Sequence, residues 1–263
     1  GLSVFPTLTD FTLMEENGQL FVNAPNAIEG NRKEVLNSAS AVFQSKEAGT
    51  VDFDGNETEV FEEIRKLTQI FPSNYKDQSK VIDCVDDLNR LCENISAGNG
   101  KEILIQIADQ NEFLELKKDY GNDMAIGFIR LDGETIGCIT NKEERISAQG
   151  AKKAASFVKL CDAFGIGILT VTDTVGFVAE IEQEKELSQA IGAMTGAFVQ
   201  ATVPKVNVIS KKAFGSAYVS MNSKSIGADF VYAWSDAKIG MMEADMAVKI
   251  MYPGANADVL KEK

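Results

Sequence analysis

Histidine is absent from the 263-residue sequence. This absence excludes nucleophilic sites built on a Ser–His or Cys–His pair, and it excludes the common zinc and non-haem iron sites. Chemistry in this chain must therefore rely on carboxylates, lysines, tyrosines, backbone amides or a group that the ligand brings. No metal site is predicted.

Cysteine is also scarce, with only Cys84, Cys92, Cys138 and Cys161. None of them forms a C-x-x-C pair, and four cysteines are too few for a disulfide scaffold, so reduced thiols are expected. The sequence has no apolar run of about 20 residues and no signal-peptide pattern at its start. These absences predict a cytoplasmic protein.

Basic residues are outnumbered, with 26 Lys and Arg against 39 Asp and Glu and a net charge of −13. A nucleic-acid partner is therefore not expected, because nucleic-acid affinity depends on a basic surface. A small anionic ligand remains possible if lysines and backbone amides are placed locally to meet it.

The apolar pattern from residue 123 onward predicts an α/β fold with a largely parallel sheet. "MAIGFIRLDGETIGCITN" reads as two strands around an Asp132-Gly133 turn, and Ser147 can cap the helix that follows. The remaining elements are a strand at 166–173, a helix at about 181–201, a strand at 205–210, a small-residue helix, a strand pair at 228–242 and a helix at 245–252.

The amino-terminal part is less regular. We predict a helix in "LSVFPTLTDFTLM", a strand in "QLFVNAP" and an amphipathic helix at Glu59–Ile70. The polar stretch 71–80 is the best linker candidate. The predicted domains are therefore residues 1–74 and residues 75–263.

The stretch "VNVISKKAFGSAYVSMNSK", residues 206–224, places Gly215, Ser216 and Ala217 where a strand gives way to a helix. The first N–H groups of a helix are unpaired and attract anions, and two adjacent ones aimed at one oxygen form an oxyanion hole. The alternative is that small residues only let this helix pack close to the sheet. Ser216 lacks the flanking glycines of a nucleophile elbow and has no histidine base, so a backbone role is favoured over hydroxyl chemistry.

Three segments resemble a known family: "FVKLCDAFGIGILTVTDTVGF", "ATVPKVNVISKKAFGSAYVSMNSKSIGADFVYAW" and "AKIGMMEADMAVKIMY". They are similar to the carboxyltransferase subunits of biotin-dependent acyl-CoA carboxylases and to the α subunits of the related decarboxylases. "PTLTDFTLMEENGQLFVNAP" resembles the close of that family's first domain. The resemblance implies a crotonase-like spiral of ββα units, with the end of one domain followed by a second that lacks its last helices.

The resemblance also implies a reaction: carboxyl transfer between biotin on a carrier protein and an acyl-CoA. The direction would be that of an acetyl- or propionyl-CoA carboxylase, or of a methylmalonyl- or glutaconyl-CoA decarboxylase. Biotin would act as the base while paired backbone amides stabilise each developing oxyanion.

The implied partners are a biotin carboxyl carrier protein or domain, and a biotin carboxylase or a membrane decarboxylase subunit. The family site lies between the domains of different subunits, so a homo-oligomer is expected, and residues 1–263 alone are expected to be inactive.

Site residues follow from the matching positions. The N–H groups of Ser216 and Ala217 are the implied oxyanion donors, with Gly215 giving the turn its freedom. Val219 is the implied acyl-pocket residue, and its apolar side chain suits an uncharged acyl group. The other implied substrate-binding residues are Tyr218, Gly176, Phe177, Gln183 and Gly1, the last being what remains of a first-domain glycine pair.

The sequence departs from the family at several of these positions. Ser216 stands where the family has a glycine, and Val175 replaces a proline. Ala190 and Ile191 occupy the positions of an arginine and a histidine.

Two other functions therefore stay open. One is a crotonase-type hydratase or hydrolase that uses Glu184 or Glu243, and the other is a degenerate, non-catalytic subunit. Lys211, Lys212 and Lys224 could meet an anionic ligand or could simply be solvated surface lysines.

Overall fold

A computed structural model describes residues 2–78, 81–87, 89–93 and 95–252. The strands are β1 (Leu13–Glu15), β2 (Phe53–Gly55), β3 (Leu114–Leu116), β4 (Met124–Leu131), β5 (Glu134–Asn141), β6 (Arg145–Ile146), β7 (Ile168–Thr174), β8 (Gly176–Phe177), β9 (Lys205–Phe214), β10 (Phe230–Ala233) and β11 (Lys238–Gly240). The helices are α1 (Ala41–Lys46), α2 (Glu57–Ile70), α3 (Gly100–Ile107), α4 (Ala148–Ala163), α5 (Ile181–Gln200), α6 (Gly215–Ser220) and α7 (Ala244–Met251).

The main sheet runs in the order β10-β9-β7-β5-β4-β3, and β11 also pairs with β9. Strands β5, β7, β9, β10 and β11 pair in parallel, while β3, β4 and β5 are antiparallel neighbours. Two small parallel sheets, β1 with β2 and β6 with β8, lie outside it. The predicted α/β class with a largely parallel sheet is confirmed.

The β4–β5 hairpin forms where the sequence predicts it. Asp132 and Gly133 take φ values of +52° and +77°, the left-handed conformations that a two-residue hairpin turn requires. From this turn the two strands pair along their full length, with Leu131 opposite Glu134 at one end and Met124 opposite Asn141 at the other.

Both faces of the main sheet are covered. On one face, α4 and α5 bury Val158, Cys161 and Phe198 against Ile126 and Phe128. On the other face, a smaller cluster joins α3 to the sheet through Ile103, Leu104, Ile129, Cys138 and Val171.

Helix α4 begins at a cap that two side chains build. The Oγ of Ser147 accepts a hydrogen bond from the Gly150 N–H at 2.9 Å. The carboxylate of Asp123 accepts from the N–H and the hydroxyl of Ser147, at 2.7 and 2.6 Å. A Cβ at Gly150 would overlap this carboxylate, so only glycine fits there.

A lysine lies in the core beside this cap. Lys153 is 1% exposed, and its Nζ donates to the carbonyls of Lys117, Tyr120 and Met124 at 2.6 to 2.8 Å. These bonds fasten the loop before β4 to α4. Burial lowers the pKa of Lys153 to about 7.

The predicted amino-terminal helix is wrong. Residues Leu2–Val4 and Pro6–Leu8 form separate 3-10 turns, and Leu13–Glu15 is strand β1. Pro6 interrupts the first segment because it has no N–H group to donate within a helix, although Phe5 before it keeps a helical conformation. The hydroxyls of Thr7 and Thr9 also bind carbonyls three residues back, which competes with helical pairing.

Three other predictions need correction. The strand at 19–25 is only an isolated bridge between Gln19 and Ser40, because no strand in the described part of the chain pairs with the exposed Phe21 and Val22. The two strands after residue 228 do not pair with each other, since β10 and β11 each pair with β9. Strand β9 runs through the two lysines to Phe214 because β11 extends its pairing there.

The predicted linker at 71–80 begins in the main core, where Phe71 is buried next to the end of α2. The Phe71 ring lies 5.0 Å from Phe11, 5.1 Å from Phe128 and 4.9 Å from Phe164, measured between centroids. Arg130 and Thr135 donate to the carbonyls of Gln69 and Ile70 at the end of α2. The domain boundary near Tyr75 remains a prediction. Among the described residues, no helix is long and apolar enough to cross a membrane.

Gly150→Ala tests the α4 cap. Alanine normally stabilises a helix by about 1 kcal/mol relative to glycine. Here we expect a loss of about 1–2 kcal/mol in the free energy of unfolding, because the new methyl displaces Asp123 from its two hydrogen bonds. Urea unfolding measures this change. The matched control is Gly196→Ala in α5, where a Cβ meets no atom within 4 Å and stabilisation is expected. Similar stabilisation by both changes would contradict the account.

Lys153→Met tests the buried lysine. Three carbonyls lose their donor, so we expect a loss of at least about 2 kcal/mol in the free energy of unfolding. In the unfolded chain Lys153 keeps the ordinary pKa of 10.5, against about 7 when folded. The unfolded state therefore binds more protons between these values, so Lys153 makes stability rise with pH across this range and adds no slope below it. The advantage of the unchanged chain over Lys153→Met should grow from pH 7 to pH 9 in urea unfolding. A constant or shrinking advantage would refute the prediction.

Candidate active site

The predicted turn from strand to helix at Gly215 forms at the end of β9. Gly215 takes a φ of +61°, and a Cβ at this residue would lie 3.1 Å from the carbonyl oxygen of Met241. Phe214, in an extended conformation, precedes the helix and provides no side-chain cap. Glycine is required at this position because the chain turns through a left-handed conformation from strand into helix α6.

The N–H groups of Ser216 and Ala217 belong to the first turn of α6, where no N–H group has a partner within the helix, and Phe214 supplies no side-chain cap for them. Ala217 is fully buried in the main core, whereas Ser216 is exposed. Ser216 therefore presents its N–H group near the surface, whereas the N–H group of Ala217 is covered within this chain. The burial of Ala217 agrees with close packing of α6, and the oxyanion role of the turn stays a prediction.

A buried polar layer, which the sequence reasoning missed, lies under α6. The Oδ1 of Asn207 accepts hydrogen bonds from the hydroxyls of Thr170 and Thr172, both at 2.9 Å. Its Nδ2 donates to the carbonyl of Met221, one residue beyond α6, at 3.0 Å. The signal for this layer is an asparagine within a strand that otherwise reads as apolar, with Thr at alternate positions of β7.

Gly176 and Phe177 form strand β8, which packs beside α6. Strand β8 pairs with β6, and Arg145 Nη1 donates to the carbonyl of Phe177 at 3.2 Å. The structure therefore brings these two predicted site residues next to the Gly215 turn. Val175, which replaces the family's proline, donates to the carbonyl of Glu144 at 2.8 Å.

Gln183 lies in the first turn of α5, where its Oε1 accepts from the N–H of Ala148 at 2.9 Å. Its oxygen therefore caps α4, and only its NH₂ group is left for a ligand. Gly1 lies outside the described residues. Tyr218 is half-buried on α6, and Val219, next along, is 39% exposed.

The lysines around the turn all have protein partners. Lys212 lies 2.8 Å from Glu144 and 3.1 Å from Glu243, and these carboxylates raise its pKa. Lys211 donates to the carbonyl of Ala97, and Lys224 donates to that of Asp229. The interpretation of these lysines as structural surface residues is favoured. Positive potential at the turn then comes mainly from backbone N–H groups.

The positions where the family has an arginine and a histidine face the protein interior. Ala190 is 1% exposed within the main core, and Ile191 packs against it. Of the two carboxylates considered for a hydratase, Glu243 is bound to Lys212 and Glu184 is exposed on α5.

Two cavities, of about 360 and 390 Å³, lie elsewhere in the fold. The first is lined by the amino-terminal turns and α4, and the second by the end of α2 and strands β3 and β4. Neither borders the Gly215 turn. In the described ranges, no cluster of three or more Cys, Asp or Glu could hold a metal ion.

Comparison with known proteins supports the resemblance. A family model described as a carboxyl transferase domain matches residues 1–262. The putative propionyl-CoA carboxylase beta chain of Bacillus subtilis is 35% identical, with 98% of this chain and 54% of the relative aligned. The methylmalonyl-CoA decarboxylase subunit alpha of Propionigenium modestum is 32% identical, over 94% of this chain and 52% of the relative. The chain thus spans about half the length of the curated relatives it matches.

The fold matches that of a solved carboxyltransferase. The crystal structure of transcarboxylase 12S, a hexamer with hydrolysed methylmalonyl-coenzyme A bound, superposes with a TM-score of 0.89 at 26% identity. The match covers all of this chain and 55% of that one, and it confirms the predicted crotonase-like fold. Both sequence and structure lead to one assignment: the chain belongs to the carboxyl transferase domain family.

Proposed function

We propose that the complete protein transfers a carboxyl group between carrier-bound biotin and an acyl-CoA. The observation that carries this proposal is the left-handed turn at Gly215, which places the first-turn N–H groups of Ser216 and Ala217 at the end of β9 in a chain of the carboxyl transferase family. Biotin would carry the carboxyl group to or from the acyl-CoA, and its ureido nitrogen would accept a proton when the carboxyl group leaves it. Two first-turn N–H groups fit a ureido oxygen, because such a group offers one acceptor that gains negative charge during transfer.

The chain's own contribution is electrostatic. The N–H groups of Ser216 and Ala217 donate to the oxygen as its charge develops, and Gly215 aims them by its left-handed conformation. Backbone donors fixed before the reaction need no reorganisation when charge appears. A histidine-free chain can do this because no side chain has to move a proton.

The acyl group would bind beside the same turn. Val219 and Tyr218 on α6, with Gly176 and Phe177 on β8, form the proposed lining of the acyl site, and the Gln183 NH₂ group could contact the ligand. Relatives named for propionyl-CoA and methylmalonyl-CoA support a short, uncharged acyl chain as the carboxyl acceptor. The partly exposed Val219 is compatible with that choice.

Further chains would complete this site. The transcarboxylase 12S structure is described as a hexamer, which supports a homo-oligomer here. We propose that another subunit covers the exposed surface at Ser216. Relatives named as carboxylase and decarboxylase subunits support a biotin carrier as a partner, together with a biotin carboxylase or a membrane decarboxylase subunit.

The four cysteines are free thiols, which supports a cytoplasmic location. We also propose that residues 1–74 end a first domain and that residues 75–263 belong to a second.

Ser216→Pro in the complete protein tests the donor role. Proline removes the N–H of residue 216, and the loss of one oxyanion donor typically lowers kcat by about 10²–10³. The measurement is biotin-dependent consumption of methylmalonyl-CoA, with thermal unfolding as a check on folding.

Ser216→Ala is the matched control, because it removes the hydroxyl and keeps the N–H. We expect its kcat to stay within about threefold of the unchanged protein. A normal kcat for Ser216→Pro, or a collapse of both variants, would refute the backbone role. Turnover that needs no biotin would instead indicate a crotonase-type hydratase or hydrolase.

A further inference from the structure

Four polar side chains are buried together between strands β7 and β9 and the end of α6. Asn207 and Asn222 are both 0% exposed. Besides the bonds of Asn207, the Nδ2 of Asn222 lies 3.2 Å from both the Thr170 hydroxyl and the Val206 carbonyl. Burying amides is costly unless they are hydrogen-bonded. Both ends of the Asn207 amide and the Nδ2 of Asn222 have partners, while the Oδ1 of Asn222 is buried without a partner among the described residues.

Helix α6 depends on its surroundings for its position. It has six residues, and a helix so short is not stable by itself. At its start it is covalently continuous with β9 through Gly215. At its end, the Met221 carbonyl accepts from Asn207, and Thr195 of α5 donates to the Ser220 hydroxyl at 3.0 Å.

The two threonines determine which way the Asn207 amide faces. Because both hydroxyls donate to Oδ1, the Nδ2 group must point at the Met221 carbonyl. Asn222 then continues the chain at a φ of +52°, a conformation that asparagine tolerates better than most residues. Strand β9 therefore holds α6 at both ends: by the chain at Gly215 and by the Asn207 side chain at Met221.

We propose that Asn207 is a positioning residue for carboxyl transfer, acting through α6 on the direction of the Ser216 and Ala217 N–H groups. The proposal rests on the function proposed above. Asn207 itself lies under the helix, away from the exposed face of the turn, so its effect is indirect. A misplacement of about 1 Å at a reacting group can cost about 10²-fold in rate, so a loosened α6 should act on kcat.

The primary test is Asn207→Asp in the complete protein. In its ionised form the new side chain has the same shape and still accepts from the two threonines, but it cannot donate to the Met221 carbonyl, so the assay is run at a pH that keeps it ionised. We expect kcat for biotin-dependent consumption of methylmalonyl-CoA to fall by about tenfold or more, with KM changed by less than about threefold.

The matched control is Asp162→Ala. Asp162 Oδ1 accepts from Thr202 and Val203 in the loop that enters β9 at its opposite end, about 30 Å of strand away from α6. This change should lower the melting temperature while leaving kcat within about twofold. If kcat falls equally in both variants at matched loss of melting temperature, Asn207 is merely structural and the proposal is wrong.

Thr172→Val covers the case in which Asn207→Asp does not fold. Valine keeps the shape and suits a strand, but it removes one of the two hydroxyls that orient the amide. A fall in kcat of about threefold, at unchanged KM, is expected. Unchanged kcat in this variant and in any folded Asn207→Asp protein would overturn the positioning role.

Ser216→Pro separates the two proposals in that case. If it also leaves kcat unchanged, the proposed function fails, and if it abolishes turnover, only the role of Asn207 fails.

Discussion

The structure around the candidate site depends on one backbone constraint, the left-handed conformation of Gly215 at the end of β9. Strand β9 is fixed by three parallel neighbours, β7, β10 and β11, so the point at which it ends is well defined. A residue with a Cβ would be strained there and would crowd the Met241 carbonyl. Because the chain turns abruptly from β9, the first N–H groups of α6 have no partner within the helix, and the turn reaches the surface at Ser216. The rest of the site is arranged around these donors.

The side-chain charges around the turn largely cancel, which agrees with stabilisation of an oxyanion by backbone N–H groups. The protein carries a net charge of −13, and Lys212, the cation nearest the turn in sequence, is held between two carboxylates that raise its pKa. Such a paired lysine keeps its proton and adds little net positive potential. Two amide dipoles fixed in place can stabilise a developing oxyanion without a net charge. The same arrangement agrees with a sequence that lacks histidine, since the proton is accepted by a group outside the chain.

Sequence patterns predicted the regular half of the fold well. The Asp132-Gly133 hairpin, the Ser147 cap and helices α4 and α5 each follow from a local signal such as a turn pair, a capping residue or a 3.6-residue period. The prediction of an amino-terminal helix was wrong because Pro6 and the threonine hydroxyls outweigh the helical propensity of the apolar residues there. The pairing of β10 and β11 could not be read from the sequence, because both add to β9 at different points along its length. Gly215, Ser216 and Ala217 were identified, but the layer beneath them was not. A single asparagine in an apolar strand does not reveal which carbonyl it will meet across the sheet.

The most direct test of the account is a crystal structure of the complete protein with biotin bound. The account predicts that the ureido oxygen lies about 2.7–3.1 Å from both the Ser216 and the Ala217 nitrogens, with Gly215 still at positive φ. An ordered biotin whose ureido oxygen meets other donors, or whose ring binds away from α6, would contradict it.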